Sequence, residues 1–264
     1  MRTLGCVLVI AIASACGGDD GGGGGACPCD FGQRCVENVC TLAPQLLVDV
    51  NESSGTAAGA SAFGCFYAAP TTDARLVSLT EDGPCTITVY QQAPSAVTEV
   101  RDLGQLQVEG TLAGTLPLAP TPTPAGCYST MSTGDLFAEG AQIRFVGTGG
   151  SDLPAFSEEI EAPSTIELTA ATPVPGQPHA LTWTGAPATH LRYHLSNTTA
   201  QGITFVSCQL PDTGAFTLPA STTSWLSSDA PFYQSISRYN HVHLEPPGVD
   251  AVINLTVTTF DVGP

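Results

Sequence analysis

Five histidines, ten cysteines and a complete lack of lysine set the chemistry open to this 264-residue chain. His241 and His243 are two residues apart. On a strand their side chains share one face about 7 Å apart, and Glu245 continues that face. With His194 from a neighbouring strand, His241 and His243 form the candidate divalent-metal set. The plainer reading is a polar outer face with Val242 and Leu244 turned inward, and no metal or other cofactor is expected. His190 and His194 are four apart, but their run alternates as a strand and separates them by about 13 Å, too far for one ion. Glu158, Glu159 and Glu161 with Asp152 are the densest acids. They lack the spaced ligands of a calcium loop and read as a charged strand edge that resists association. No Gly-x-Ser-x-Gly elbow occurs. Without Lys there is neither a phosphate-binding loop lysine nor Schiff-base chemistry. A catalytic thiol needs a His close by, and no His precedes His179. The expectation is therefore a protein that is not an enzyme. Trp225, in the turn-like stretch 221–228, is the candidate exposed aromatic for stacking on a sugar ring, while Trp183 reads as core.

Composition narrows the setting. Seven Arg against 24 Asp and Glu leave a formal net charge of −17. A surface so acidic offers no cationic footprint for nucleic acid and none for anionic lipid. Hydrophobic residues make up 42%, enough for a packed core. Ten Cys point to an oxidising compartment, and their roles follow from their positions.

Met1-Arg2-Thr3 carries the one charge before Asp19, Leu4–Ile12 is apolar, and Ala13-Ser14-Ala15 leads to Cys16. This is the order of a secretory signal, too short to span a bilayer. The small residues ending at Cys16 resemble the lipobox of bacterial lipoproteins. That resemblance implies cleavage after residue 15, a diacylglycerol on the Cys16 thiol and membrane attachment through it. Gly17, rather than an Asp, follows the lipidated position, which by the same resemblance implies the outer membrane. Residues 16–26 are Gly-rich with no apolar face and read as a flexible tether reaching about 17–19 Å. Residues 27–41 form a Cys-rich module similar to the short stubs that follow lipoboxes in high-GC Gram-negative bacteria. So little chain cannot bury a core, and disulfides stand in for one. Two bonds are expected to join Cys27 and Cys29 to Cys35 and Cys40, in either order. Further on, a Cys65–Cys85 bond between neighbouring strands is expected, leaving Cys127 with Cys208.

The body must position any site, and it reads as all-β. Runs such as Cys85–Gln91, Ala141–Gly147, Ala180–Thr184, His190–Ser196, Gly202–Gln209 and Ala251–Phe260 alternate with turn residues, and Thr fills many outward positions. Gly134–Gly147 reads as strand, turn at Glu139-Gly140, strand. Pro117–Pro124 and Pro173–Pro178 argue against strands there. Two β-sandwich-like units are expected, 42–162 and 163–264, with a boundary at Ala162-Pro163. In the second, His179–Gly185 and Leu191–Leu195 resemble the second and third strands of fibronectin type III domains. The resemblance implies an immunoglobulin-like sandwich with Trp183 and Tyr193 in its core and carries no activity. The expected function is a membrane-anchored envelope protein, a binding or structural module with an envelope protein or a glycan as partner. The alternatives are sugar binding through Trp225, or a metal-dependent module using His241 and His243.

Overall fold

The structure, a computed structural model, describes residues 33–36, 39–42, 45–55, 59–67, 76–91, 101–121, 127–132, 134–184, 190–244 and 250–262. The expected signal peptide, Cys16, the tether, Cys27, Cys29 and Glu245 lie outside the described residues. The chain divides into two compact units, Met1–Ala43 and Pro44–Pro264. In the first, β1 (Gln33–Val36) and β2 (Val39–Leu42) pair antiparallel with Cys35 opposite Cys40 in register.

The second unit is nearly all strand. Its elements are β3 (Gln45–Gly55), β4 (Gly59–Tyr67), β5 (Leu76–Asp82), β6 (Cys85–Tyr90), β7 (Leu106–Thr111), β8 (Gly114–Pro120), β9 (Cys127–Ser132), β10 (Gln142–Gly147) and β11 (Phe156–Glu161). They continue with β12 (Leu168–Ala170), β13 (His179–Trp183), β14 (His190–Thr199), β15 (Gly202–Leu210), β16 (Ala215–Leu218), the single-turn helix α1 (Ala220–Thr223), β17 (Phe232–Leu244) and β18 (Asp250–Val262). The all-β expectation holds because alternation is regular. In β13, His179, Leu181 and Trp183 are buried while Ala180 and Thr182 face water, as period two requires.

Thirteen strands share one sheet in the order β11-β10-β7-β8-β9-β4-β3-β18-β17-β14-β15-β6-β5, and β12-β13-β16 make a smaller one. The break expected at Ala162-Pro163 does not separate two sheets. β3 pairs parallel with β18, and β6 pairs with β15, so strands from before residue 162 extend both edges of a sheet built from the last hundred residues. Backbone groups on those edges would otherwise lie open to association, and sheet continuity removes the hazard. The terminal strand β11 carries Glu158, Glu159 and Glu161, the acidic edge read from the sequence.

The large sheet curls back on itself. Seven strands lie between β11 and β17 in sheet order, yet Asn240 Nδ2 on β17 donates to the Glu161 carbonyl at 2.8 Å. One core joins the two sheets. Val48, Val50, Leu106, Val108, Phe145, Ile160, Tyr193, Leu195, Val206 and Ile253 enter it from the large sheet. Leu181, Trp183 and Leu218 from the small sheet, and Leu226, belong to the same core. Trp183 and Tyr193 are both buried, where the sequence placed them.

Three expectations are corrected. The disulfides are Cys65–Cys127 and Cys85–Cys208, not Cys65–Cys85 and Cys127–Cys208. Neighbouring strands in sequence are not neighbours in the sheet here: β4 pairs with β9 and β6 with β15, which sets Cys65 opposite Cys127 and Cys85 opposite Cys208. The segment before the Glu139-Gly140 turn is not a strand. Leu136 N and Phe137 N both donate to the Glu52 carboxylate, the latter at 2.6 Å, instead of to a ladder. Pro117 and Pro120 sit within β8. That strand pairs with β7 near Pro117 but reaches β9 only at Ala119 and Pro120, so one side of Pro117 has no ladder to interrupt.

Candidate functional site

Strand alternation on β14 divides its side chains cleanly. Leu191, Tyr193, Leu195 and Asn197 are buried on the core side; His190, Arg192, His194 and Ser196 lie on the opposite, outer face. On β17 the same rule sends Ile236 and Arg238 inward and Ser235, Ser237, Tyr239 and His241 outward. Register then assembles the outer face. His190 stands opposite Tyr239, Arg192 opposite both Ser237 and Gln209, and His194 opposite both Ser235 and Ser207. Further across, Tyr239 pairs with Thr256 and Thr256 with Asn51.

The centre of this face is aromatic and cationic. The His190 ring stacks on Tyr239 at 5.3 Å between centroids, and His241 lies 4.7 Å from His190. The Arg192 guanidinium sits 4.8 Å from the Tyr239 ring centroid, a cation–π contact. The Tyr239 hydroxyl donates to Gln209 Oε1 at 3.1 Å, which orients the ring. Arg192 and Tyr239 are each 8% exposed, an unusual depth for a charged side chain on an outer sheet face. His194 packs 5.6 Å from the Phe205 ring. Burial, and then the adjacent Arg192 charge, push its pKa down to about 4, so His194 is neutral at pH 7.

The predicted metal set is not brought together as expected. His194 and His241 share the face, but His194 stands opposite Ser235, six residues from His241 along β17, or about 20 Å. His190 takes the place beside His241 instead. The His243 side chain lies outside the described set. Among the described residues no group of three His, Cys, Asp or Glu is placed to hold a metal ion. Trp225 follows α1 and is 40% exposed, its carbonyl accepting from Thr204 Oγ1 at 3.3 Å. The fifth histidine, His179, is buried on the core side, with Nε2 3.3 Å from Gln234 Oε1; burial lowers its pKa.

Sequence reasoning singled out histidines and passed over Arg192, Gln209, Tyr239 and Asn51. A signal for Arg192 was available. It lies two residues from each of two His in an alternating run, in a chain with seven cations, so the alternation puts all three on one face. The outer face thus carries a largely buried cation, packed rings, amides and hydroxyls. No protein-family model and no curated protein matches this chain.

Proposed function

We propose that this chain is a lipid-anchored cell-envelope protein of the outer membrane, whose β body is a non-catalytic binding or structural module. The observation that carries the reading is the Ala13-Ser14-Ala15-Cys16 stretch directly after an apolar run of signal length. Two disulfides in the body support an oxidising compartment. Acyl chains on Cys16 give stable attachment where the acidic surface gives none. The strand order β12-β13-β16 against β15-β14-β17-β18 supports an immunoglobulin/fibronectin type III-like reading of the last hundred residues. Cys16→Ser expressed in a bacterial host is expected to move the protein from the membrane pellet to the soluble fraction. Unchanged pelleting after a carbonate wash would refute the anchor.

A second reading, sugar binding, is favoured by the exposure of Trp225. A glycan array probed with wild type and Trp225→Ala tests that residue: equal binding by both removes it from the reading.

A further inference from the structure

The two terminal strands of the large sheet are defended differently. β11 carries Glu158, Glu159 and Glu161, which discourage an incoming strand. β5, at the other end, has neither Lys nor Pro. A bulge at its start, between Leu76 and Ser78, leaves regular pairing with β6 from Ser78 to Asp82. Among the described residues, no strand pairs with its other side. No residue from Val77 to Asp82 is buried, so β5 stands clear of the core on both faces. Such an edge presents a row of backbone N–H and C=O groups, and the ligand that satisfies both in one row is an extended chain.

The side chains along β5 say which chain fits. Val77, Leu79 and Glu81 are exposed, Val77 at 64% and Leu79 at 49%, while Ser78, Thr80 and Asp82 are half-buried. The Asp82 carboxylate is already taken, accepting from Ser221 Oγ at 2.6 Å and Thr222 Oγ1 at 2.7 Å. Register continues the Leu79 position through Thr88, Phe205 and Ser196 to the exposed Tyr233, so an apolar strip runs up to the open edge. An antiparallel partner therefore sets apolar residues beside Val77 and Leu79, a cation beside Glu81, and small polar residues beside Ser78 and Thr80. Charge and size argue against a second copy in that place. The chain has a net charge of −17, and its described guanidinium groups are spent: Arg101, Arg144 and Arg238 on carboxylates, Arg192 by burial. The seven residues of β5 also fall well short of the roughly 20–30 a side of a stable interface between folded proteins.

We propose that β5 is a docking edge for an extended, cationic segment of a partner protein, which adds to the sheet as a further antiparallel strand. The proposal rests on the binding-module reading, and its failure leaves the tests of Cys16 and Trp225 untouched. The probe is the octapeptide Lys-Thr-Lys-Thr-Val-Thr-Val-Thr, whose Lys and Val fall on one face of a strand. One control replaces each Thr by Pro, which keeps the charge and the Val but cannot pair as a strand. The other replaces each Lys by Glu. Calorimetry on the purified full-length chain measures binding, and amide hydrogen exchange followed by NMR locates it. The probe is expected to bind and to slow exchange within Ser78–Asp82. Both controls are expected to bind at least about tenfold more weakly. Leu79→Lys, which places a guard cation on the edge, is expected to cost a similar factor with an unchanged melting temperature. Equal binding of the Pro control, no binding at millimolar probe, or binding without slowed exchange in β5 overturns the proposal, and these arms need only the wild-type chain. A wild-type dimer that dissociates in Leu79→Lys gives the edge to a second copy and overturns the cationic partner.

Discussion

Asp212→Ala should be among the most damaging single substitutions in this protein. Arg238 is fully buried and Asp212 is 3% exposed by side chain, so neither charge of their pair meets water. Asp212 takes the Arg238 Nε and Nη2 groups and also the Trp183 indole N–H, at 2.7 Å. Arg238 further donates to the carbonyls of Thr165 and Thr184. The cluster ties β17 of the large sheet to β13 of the small one through the segment before β16. Removing one partner of a buried pair costs about 3–5 kcal/mol, because the other charge stays buried. Two carbonyls still accept from Arg238, which places the expected loss near the lower figure. For a unit of this length, about 3 kcal/mol lowers the melting temperature by roughly 6–12 °C. Urea denaturation with the disulfides intact, alongside calorimetry, measures both quantities. Replacing both residues, as Arg238→Met with Asp212→Leu, should recover part of the loss. Recovery stays incomplete because the Thr165 and Thr184 carbonyls and the Trp183 N–H lose their partners. A loss below about 1 kcal/mol for Asp212→Ala would refute the latch, since Arg238 would then have water or another acceptor within reach. A double variant as unstable as the sum of the singles would show that the two charges are not coupled.

Peptide mapping under non-reducing conditions should recover Cys65–Cys127 and Cys85–Cys208, and a Cys65–Cys85 peptide would contradict the strand pairing. With 62 and 123 residues separating their partners, loss of either bridge should cost about 4–5 kcal/mol in the chain-entropy account, read as a lower urea midpoint after Cys→Ala pairs. His194 should titrate near 4 by NMR, well below its unfolded 6.5, and Arg192→Gln should raise that value because the Arg192 charge is the second cause of the shift. Since the unfolded chain takes up this proton first, stability is present above about 6.5 and declines as pH falls toward about 4. His194→Gln should flatten that part of the pH profile, and an unchanged slope would exclude His194 as its source.

Much of the strand pattern was legible because a half-buried strand writes its burial into every second residue. Ile143 and Phe145, Leu181 and Trp183, and Leu191, Tyr193 and Leu195 are all buried on the expected faces. The acidic edge strand was legible for a similar reason: three Glu in six residues leave few places other than an edge. The stretch before Glu139-Gly140 was misread because its strand-like composition is local, whereas the Glu52 carboxylate that captures Leu136 N and Phe137 N comes from 84 and 85 residues away. The candidate site was half legible. Histidines on an outer face could be read from spacing, but their neighbours could not, because register between β14 and β17 set His190, not His194, beside His241.

The sequence by itself determined the all-β class, the inward and outward residues of several strands and the reaction classes that lack of Lys excludes. These depend on composition and on a two-residue period, both local quantities. Tertiary structure alone decided which strands are neighbours, and with that the pairing of four cysteines, the continuity of one sheet across residue 162, and the position of Arg192. Strand pairing is a contest among distant segments. It is settled by burying shared apolar faces and by closing exposed edges, and no local pattern records the winner.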